Sequence, residues 1–265
     1  MNKKKIILVT ITVVLFIVVF FLAFLLFNKY VLKTNFEKDI LSFAQKNEDV
    51  IFKINKIVLF SNCDAKNKNS SLTNFTIENL YQYTDMAIFI SSSSDERNLE
   101  NTFKTVYIDN IKFNSPPSIG EPNLYFKSIN NFAKSDILDN NLITDKFEFD
   151  VTSNDEANLE SPIIYNNLAN PITLSYVNSN IKSDYTITDT SSPITYDGSL
   201  LKRCGILLNS ICCNLSFDIY VTNNLDEEFK CTVYIDIPLE SQDKTIYDGS
   251  ITLKNDVNYV FYRYK

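Results

Sequence analysis

Three textures follow one another along the chain. Residues 6–27 carry no charge, and nothing in that run is more polar than Thr10 and Thr12. A helix of that length spans about 33 Å, against a bilayer core of about 30 Å, so the run predicts a transmembrane helix. Behind it, Leu32, Phe36, Ile40 and Phe43 recur at four- and three-residue spacing, while Asn35, Glu37, Lys38 and Gln45 fall off that stripe. This helical period predicts a juxtamembrane stalk over residues 28–49 that prolongs the membrane helix. The stripe has two available partners, the domain that follows it or a second chain.

From residue 50 the period changes to two. Residues 50–60 are rich in Ile, Val and Phe, and a polar loop containing Cys63 is expected over 61–71. Strands are expected over 73–77, 85–91 and 103–113, with a loop opening at Ser91 to Ser94. Ser115-Pro116-Pro117-Ser118-Ile119-Gly120-Glu121-Pro122 reads as a rigid connection, because proline fixes φ and removes backbone donors. A short strand over 124–127 follows, and 129–140 fits no more than a helical turn or two. A boundary near Asn141 would divide a β-rich lobe, 50–141, from a β-sandwich lobe, 142–265, with one domain or two left open.

The second half alternates more cleanly. Phe147, Phe149 and Val151 are separated by Glu148 and Asp150, a half-buried strand, and 154–160 reads as an acidic loop. Ile172, Leu174 and Tyr176, a turn at Asn178-Ser179-Asn180, then Tyr185 and Ile187 predict a hairpin. The clearest hairpin joins Leu215, Phe217, Ile219 and Val221 to Phe229, Cys231, Val233, Ile235 and Ile237 through a polar loop at 223–227. Ile251, Leu253 and residues 258–264 complete the pattern. Many short strands with polar turns predict a mainly β fold, an antiparallel Ig-like sandwich behind one N-terminal helix.

The flanks of the apolar run set its expected orientation. Lys3, Lys4 and Lys5 precede it and outweigh Lys29 and Lys33, which predicts a five-residue cytoplasmic tail, 1–5, and an extracellular C-terminal domain at the plasma membrane. The run exceeds a signal-peptide core and lacks small residues at a cleavage site, so it reads as an uncleaved signal anchor. A type IV pilin would need a Gly and a Glu at its start, and neither is present. With so short a tail, any signalling would go through a partner.

Composition narrows the chemistry. With the three leading lysines set aside, 22 basic residues face 32 acidic ones, which disfavours nucleic acid as a partner. The absence of His excludes Ser-His-Asp and Cys-His catalysis and most zinc sites. Three sequons, at Asn69, Asn74 and Asn214, match the frequency expected of an Asn-rich chain. The cysteines, Cys63, Cys204, Cys212, Cys213 and Cys231, are odd in number. Setting Val221 against Phe229 puts Ile219 against Cys231 and Cys213 against Ile237. Cys213 and Cys231 then share a face but stand about 20 Å apart at about 3.3 Å per residue, beyond the reach of a disulfide. They read as core thiols; a Cys204–Cys212 closure stays open.

Few motifs remain. Tyr196-Asp197-Gly198-Ser199 recurs as Tyr247-Asp248-Gly249-Ser250, and Asp-Gly predicts a tight hairpin corner for each copy, with a duplicated ligand loop as the other reading. Ser199-Leu200-Leu201-Lys202 has the S-x-x-K spacing of penicillin-recognising enzymes but is expected beside strand sequence, without their K-T-G triplet. Acidic clusters at 150–160 and 226–228 lack the order of a calcium loop. No catalytic, cofactor-binding or metal-ligating residue can be named.

Residues 217–224, Phe-Asp-Ile-Tyr-Val-Thr-Asn-Asn, followed by 231–237, Cys-Thr-Val-Tyr-Ile-Asp-Ile, resemble paired strands of secreted Firmicutes proteins in the camelysin and TasA group. The resemblance covers about forty residues and implies a surface β-sandwich. The anchor, the period of two and the absence of catalytic motifs make the expected function binding, structural or adhesive rather than enzymatic. The bilayer would be one partner, through residues 6–27, and a protein or wall component the other. The alternatives are an accessory subunit of a membrane complex, working through residues 6–49, and a wall enzyme built on two carboxylates.

Overall fold

The computed structural model describes residues 3–46, 50–66, 75–92, 97–135, 141–152, 163–165, 171–188 and 194–264. It falls into two units, residues 1–48 and 49–265. The first is a single helix, α1 (Lys3–Lys46), so the expected membrane helix and stalk are continuous. Within it Thr12–Phe36 is long and apolar enough to cross a membrane, with a mean hydropathy of 2.5. Phe16, Phe20 and Leu26 are each about 70% exposed, an arrangement that water disfavours and lipid does not. Residues 1–2 and 47–49, parts of the expected tail and stalk, lie outside the described residues.

The second unit is mainly β, two packed sheets in a sandwich-like arrangement. Its strands are β1 (Phe52–Ala65), β2 (Phe75–Ser92), β3 (Phe103–Ser115), β4 (Glu121–Phe126), β5 (Leu142–Ile143), β6 (Phe147–Thr152), β7 (Ile163–Tyr165), β8 (Ile172–Ile187), β9 (Cys213–Asn223), β10 (Glu228–Ile237), β11 (Ile251–Val260) and β12 (Tyr262–Arg263), with a short helix α2 (Ser199–Arg203) before β9. Sheet one runs β11-β1-β2-β8-β4-β5 and sheet two β12-β10-β9-β3-β6-β7. All pairings among these strands are antiparallel except β6 with β7.

Both sheets mix strands from either side of residue 141. β3 sits between β9 and β6, and β1 and β2 between β11 and β8, so the expected two-lobe division is replaced by one unit. Half-buried strands of each half lack a complete core of their own and complete it with the other's. Phe52, Met86, Leu174, Phe217, Ile219 and Val233 meet in one apolar cluster between the sheets.

The β9–β10 hairpin has the expected register, Val221 opposite Phe229, Ile219 opposite Cys231 and Cys213 opposite Ile237. Three other expectations fail for one reason. β1 runs through Cys63 where a loop was expected, β2 replaces two strands, and β8 replaces a hairpin at 178–180. In β8 the turn-forming residues make a bulge: Gln82 opposes Asn178, Leu80 opposes Ile181, and Asn180 takes φ 58°. Asn accepts the left-handed conformation, so one extra residue is absorbed without reversing the chain. These long strands outrun sheet two. Their overhang carries a second apolar cluster, Cys63, Leu80, Ile181, Leu200, Leu201 and Ile246 among it, capped by α2 and the turn at 246–248. The expected acidic loop 154–160 and the sequons at Asn69 and Asn74 lie outside the described residues.

Candidate functional site

Asp85 is placed on the outer face of sheet one, because its neighbours Met86 and Ile88 point into the core. The chain leaving β4 folds back over this face. Lys127, the first residue after that strand, brings its Nζ to 2.9 Å from Oδ1 and 2.8 Å from Oδ2 of Asp85. The Ser175 hydroxyl on adjacent β8 donates to Oδ1 at 2.6 Å, and the Ala133 amide donates to Oδ2 at 2.7 Å. Lys127 also donates to the Lys134 carbonyl and stands 4.9 Å from the centre of the Tyr83 ring. The Lys127 and Asp85 side chains are 5% and 0% exposed. Burial pushes the Asp85 carboxyl above its ordinary value, against the opposing pull of Lys127 and the hydrogen bonds it accepts. Ala133 holds φ 63°, a left-handed conformation unusual for a residue with a Cβ, and in that conformation its N–H reaches the carboxylate.

A second aspartate occupies the outer face of sheet two. Asp218 accepts from Asn110 Nδ2 at 2.8 Å, Thr232 Oγ1 at 2.6 Å and Lys230 Nζ at 2.9 Å. Tyr220 lies beside it, stacked on Tyr107 with ring centres 4.7 Å apart. Burial opposes the charge on Lys230, yet the hydrogen bond and charge of Asp218 outweigh it and raise the amine. No described segment folds over this group as residues 127–135 fold over Asp85.

The flank of the sandwich between β10 and β11 is open. β12 pairs with β10 only at Phe229 and Lys230, so among the described residues the remainder of β10 has no strand on that side. Between this edge and β11 lies a groove of about 340 Å³ with an apolar floor of Ile57, Leu59, Leu253 and Val257 and with Tyr234 and the carboxylates Asp236 and Glu240 at its rim. Tyr234 is 58% exposed, and Asp236 accepts from Asn214 Nδ2 at 2.6 Å.

The repeated tetrapeptide turns no hairpin. Its first copy leads into α2 and its second forms the turn at 246–248, and the two copies touch. A Cβ on Gly198 would lie 2.1 Å from the Ile246 carbonyl oxygen and 2.2 Å from that of Gly249, so glycine is required there by backbone approach. Asp197 accepts from both the Ser199 amide and hydroxyl, at 2.9 and 2.6 Å. Ser199 and Lys202 do share a helical turn, contrary to the strand setting expected for them, but the Asp197 carboxylate holds the serine hydroxyl.

All five cysteines are free thiols, and the Cys204–Cys212 closure is not formed. Cys213 and Cys231 lie in the core as expected, and burial pushes Cys231 up to about 12. Between the two apolar clusters, buried Gln82 has neither side-chain polar atom hydrogen-bonded among the described residues. Among the described residues no group of three His, Cys, Asp or Glu could hold a metal ion.

Sequence reasoning singled out none of the residues of the aspartate clusters or the groove as functional; Ile235 and Leu253 entered only as strand positions. The available signal was a charge inside an apolar run, Asp85 before Met86-Ala87-Ile88 and Lys127 after Leu124-Tyr125-Phe126. Among the described residues the molecule has a β-sandwich of two six-stranded sheets and one helix long and apolar enough to span a membrane. No family model, curated protein or solved structure matches the chain.

Proposed function

We propose that this chain is a single-pass membrane protein, anchored with its N-terminus in the cytoplasm, whose extracellular sandwich binds a partner along the flank between β10 and β11. The observation that carries the reading is the groove itself: an apolar floor open to solvent beside a strand edge that no described strand covers. Such an edge favours an extended segment that adds as a strand, and Asp236 and Glu240 at the rim favour basic side chains on it. The helix with lysines before it supports the anchor and its orientation.

Two measurements test this. Protease added to intact cells should remove a C-terminal epitope; protection of that epitope would overturn the orientation. The full chain in detergent should bind a synthetic strand-forming peptide of alternating valine and lysine, and Leu253→Asp should abolish that binding. Equal binding by the variant would remove the groove from the reading. A second reading, a wall hydrolase, draws on the same two carboxylates in one concave site. Release of reducing ends from cell-wall glycan that is lost in Asp236→Asn and Glu240→Gln would favour it over binding.

A further inference from the structure

We propose that Lys127 and Asp85 are the reactive pair of an intramolecular isopeptide bond, formed between the Lys127 Nζ and the Asp85 side-chain carboxyl carbon. The lysine nitrogen lies almost equally far from the two carboxylate oxygens, at 2.9 and 2.8 Å, so it faces the carbon between them. Both side chains are sealed from water, at 5% and 0% exposure. In that setting an ammonium–carboxylate pair loses most of the solvation that keeps it charged in water, and proton transfer to give amine and acid becomes competitive.

The reaction balances within the site. A proton passes from the ammonium to the carboxylate, leaving a neutral amine with a lone pair. That lone pair attacks the carboxyl carbon and forms the carbon–nitrogen bond. A second proton moves from nitrogen to the departing hydroxyl, and the carbon–oxygen bond breaks to release water. The product is a neutral secondary amide; nothing is oxidised or reduced, and no co-reactant is needed. Two donors already lie on the oxygens that carry charge in the tetrahedral intermediate, the Ser175 hydroxyl on Oδ1 at 2.6 Å and the Ala133 amide on Oδ2 at 2.7 Å. Fixed donors of this kind stabilise a developing oxyanion. Holding amine and carboxyl in contact converts a bimolecular condensation into a unimolecular one. The raised Asp85 carboxyl supports the same step, since the acid form is the electrophile.

The bond would join β2 to the end of β4 across the intervening β8. It would lock the segment 127–135 over the sheet and close a covalent loop between residues 85 and 127. Its formation does not depend on the partner groove.

The test is the intact mass of the full chain, purified in detergent. The expected mass is that of the sequence less one water, and digestion should yield a branched peptide joining the segments that contain Asp85 and Lys127. The full sequence mass, with the two segments recovered as separate peptides, overturns the proposal. A water loss that maps instead to a succinimide at Asp197-Gly198 or Asp248-Gly249 also overturns it. Lys127→Arg, which keeps the charge but lacks the amine, should restore the full mass. Ser175→Ala should slow the loss of water in a time course after synthesis, while Lys230→Met, at the Asp218 cluster of the other sheet, should leave it unchanged.

Discussion

Asp85 and Asp218 are built alike and behave differently. Each stands mid-strand on the outer face of its sheet, each is met by a lysine, and each accepts from a hydroxyl on the neighbouring strand, Ser175 or Thr232. Each also takes a hydrogen bond from a residue with positive φ, Ala133 at 63° or Asn110 at 53°. What separates them is cover. Residues 127–135 bring the lysine and the lid to Asp85 together, whereas Lys230 approaches Asp218 from the adjacent strand with no described segment folded over it. The same pair of charges is therefore sealed in one place and partly hydrated in the other. Sealing multiplies the consequence of losing a partner, because an uncompensated charge in a dry site has no water to fall back on.

The largest expected break in this comparison is Asp85→Ala. It leaves the Lys127 ammonium buried without its anion and should cost about 3–5 kcal/mol in denaturant unfolding of the full chain. A loss no greater than that of Asp218→Ala would erase the distinction drawn between the two sites. Next is Asn110→Ala, which removes donors to Asp218 and to the Tyr220 hydroxyl and places a residue with a Cβ, but no polar side chain, at φ 53°. A loss of about 2 kcal/mol is expected, measured the same way.

Ala133→Gly has the opposite sign. Glycine relieves the strained φ while keeping the N–H that reaches Asp85, and a gain of about 0.5–1 kcal/mol is expected after its greater freedom in the unfolded chain is counted. A net loss would show that the Ala133 methyl group itself seals the site. The smallest effect belongs to Lys230→Met, about 1 kcal/mol or less, because Asp218 keeps its donors from Asn110 and Thr232 and the methionine keeps the aliphatic packing. It carries a pH signature. The Lys230 amine is raised in the folded state, so the folded protein holds that proton more tightly than the unfolded chain does. Its contribution is complete below about 10.5 and is lost as pH rises through the folded value, so alkaline unfolding curves of wild type and variant should converge.

The β9–β10 register and the burial of Cys213 and Cys231 are legible in the sequence, because a hairpin is contiguous and a period of two assigns every side chain to a face. The apolar run at 6–27 is legible for a similar reason: length and absence of charge need no partner to interpret. Residues 178–180 mislead because turn residues and bulge residues are the same residues. Which outcome follows depends on whether β2 is long enough to pair on both sides of them. The repeated tetrapeptide is visible in the chain, but its two copies support each other rather than two hairpins, and only the approach of Gly198 to the Ile246 carbonyl displays that.

Local patterning therefore determined the membrane-length helix, the β class and the one contiguous register. Each rests on neighbours a few residues apart. Tertiary structure alone decided the order of the strands, the merger of the two expected lobes, the open flank at β10 and the sealing of Asp85. Those depend on which distant segments meet. The apolar run before Lys127 marks that lysine in the sequence, but its burial, unlike that of Lys230, is decided only when the chain after β4 turns back over sheet one and takes the water away.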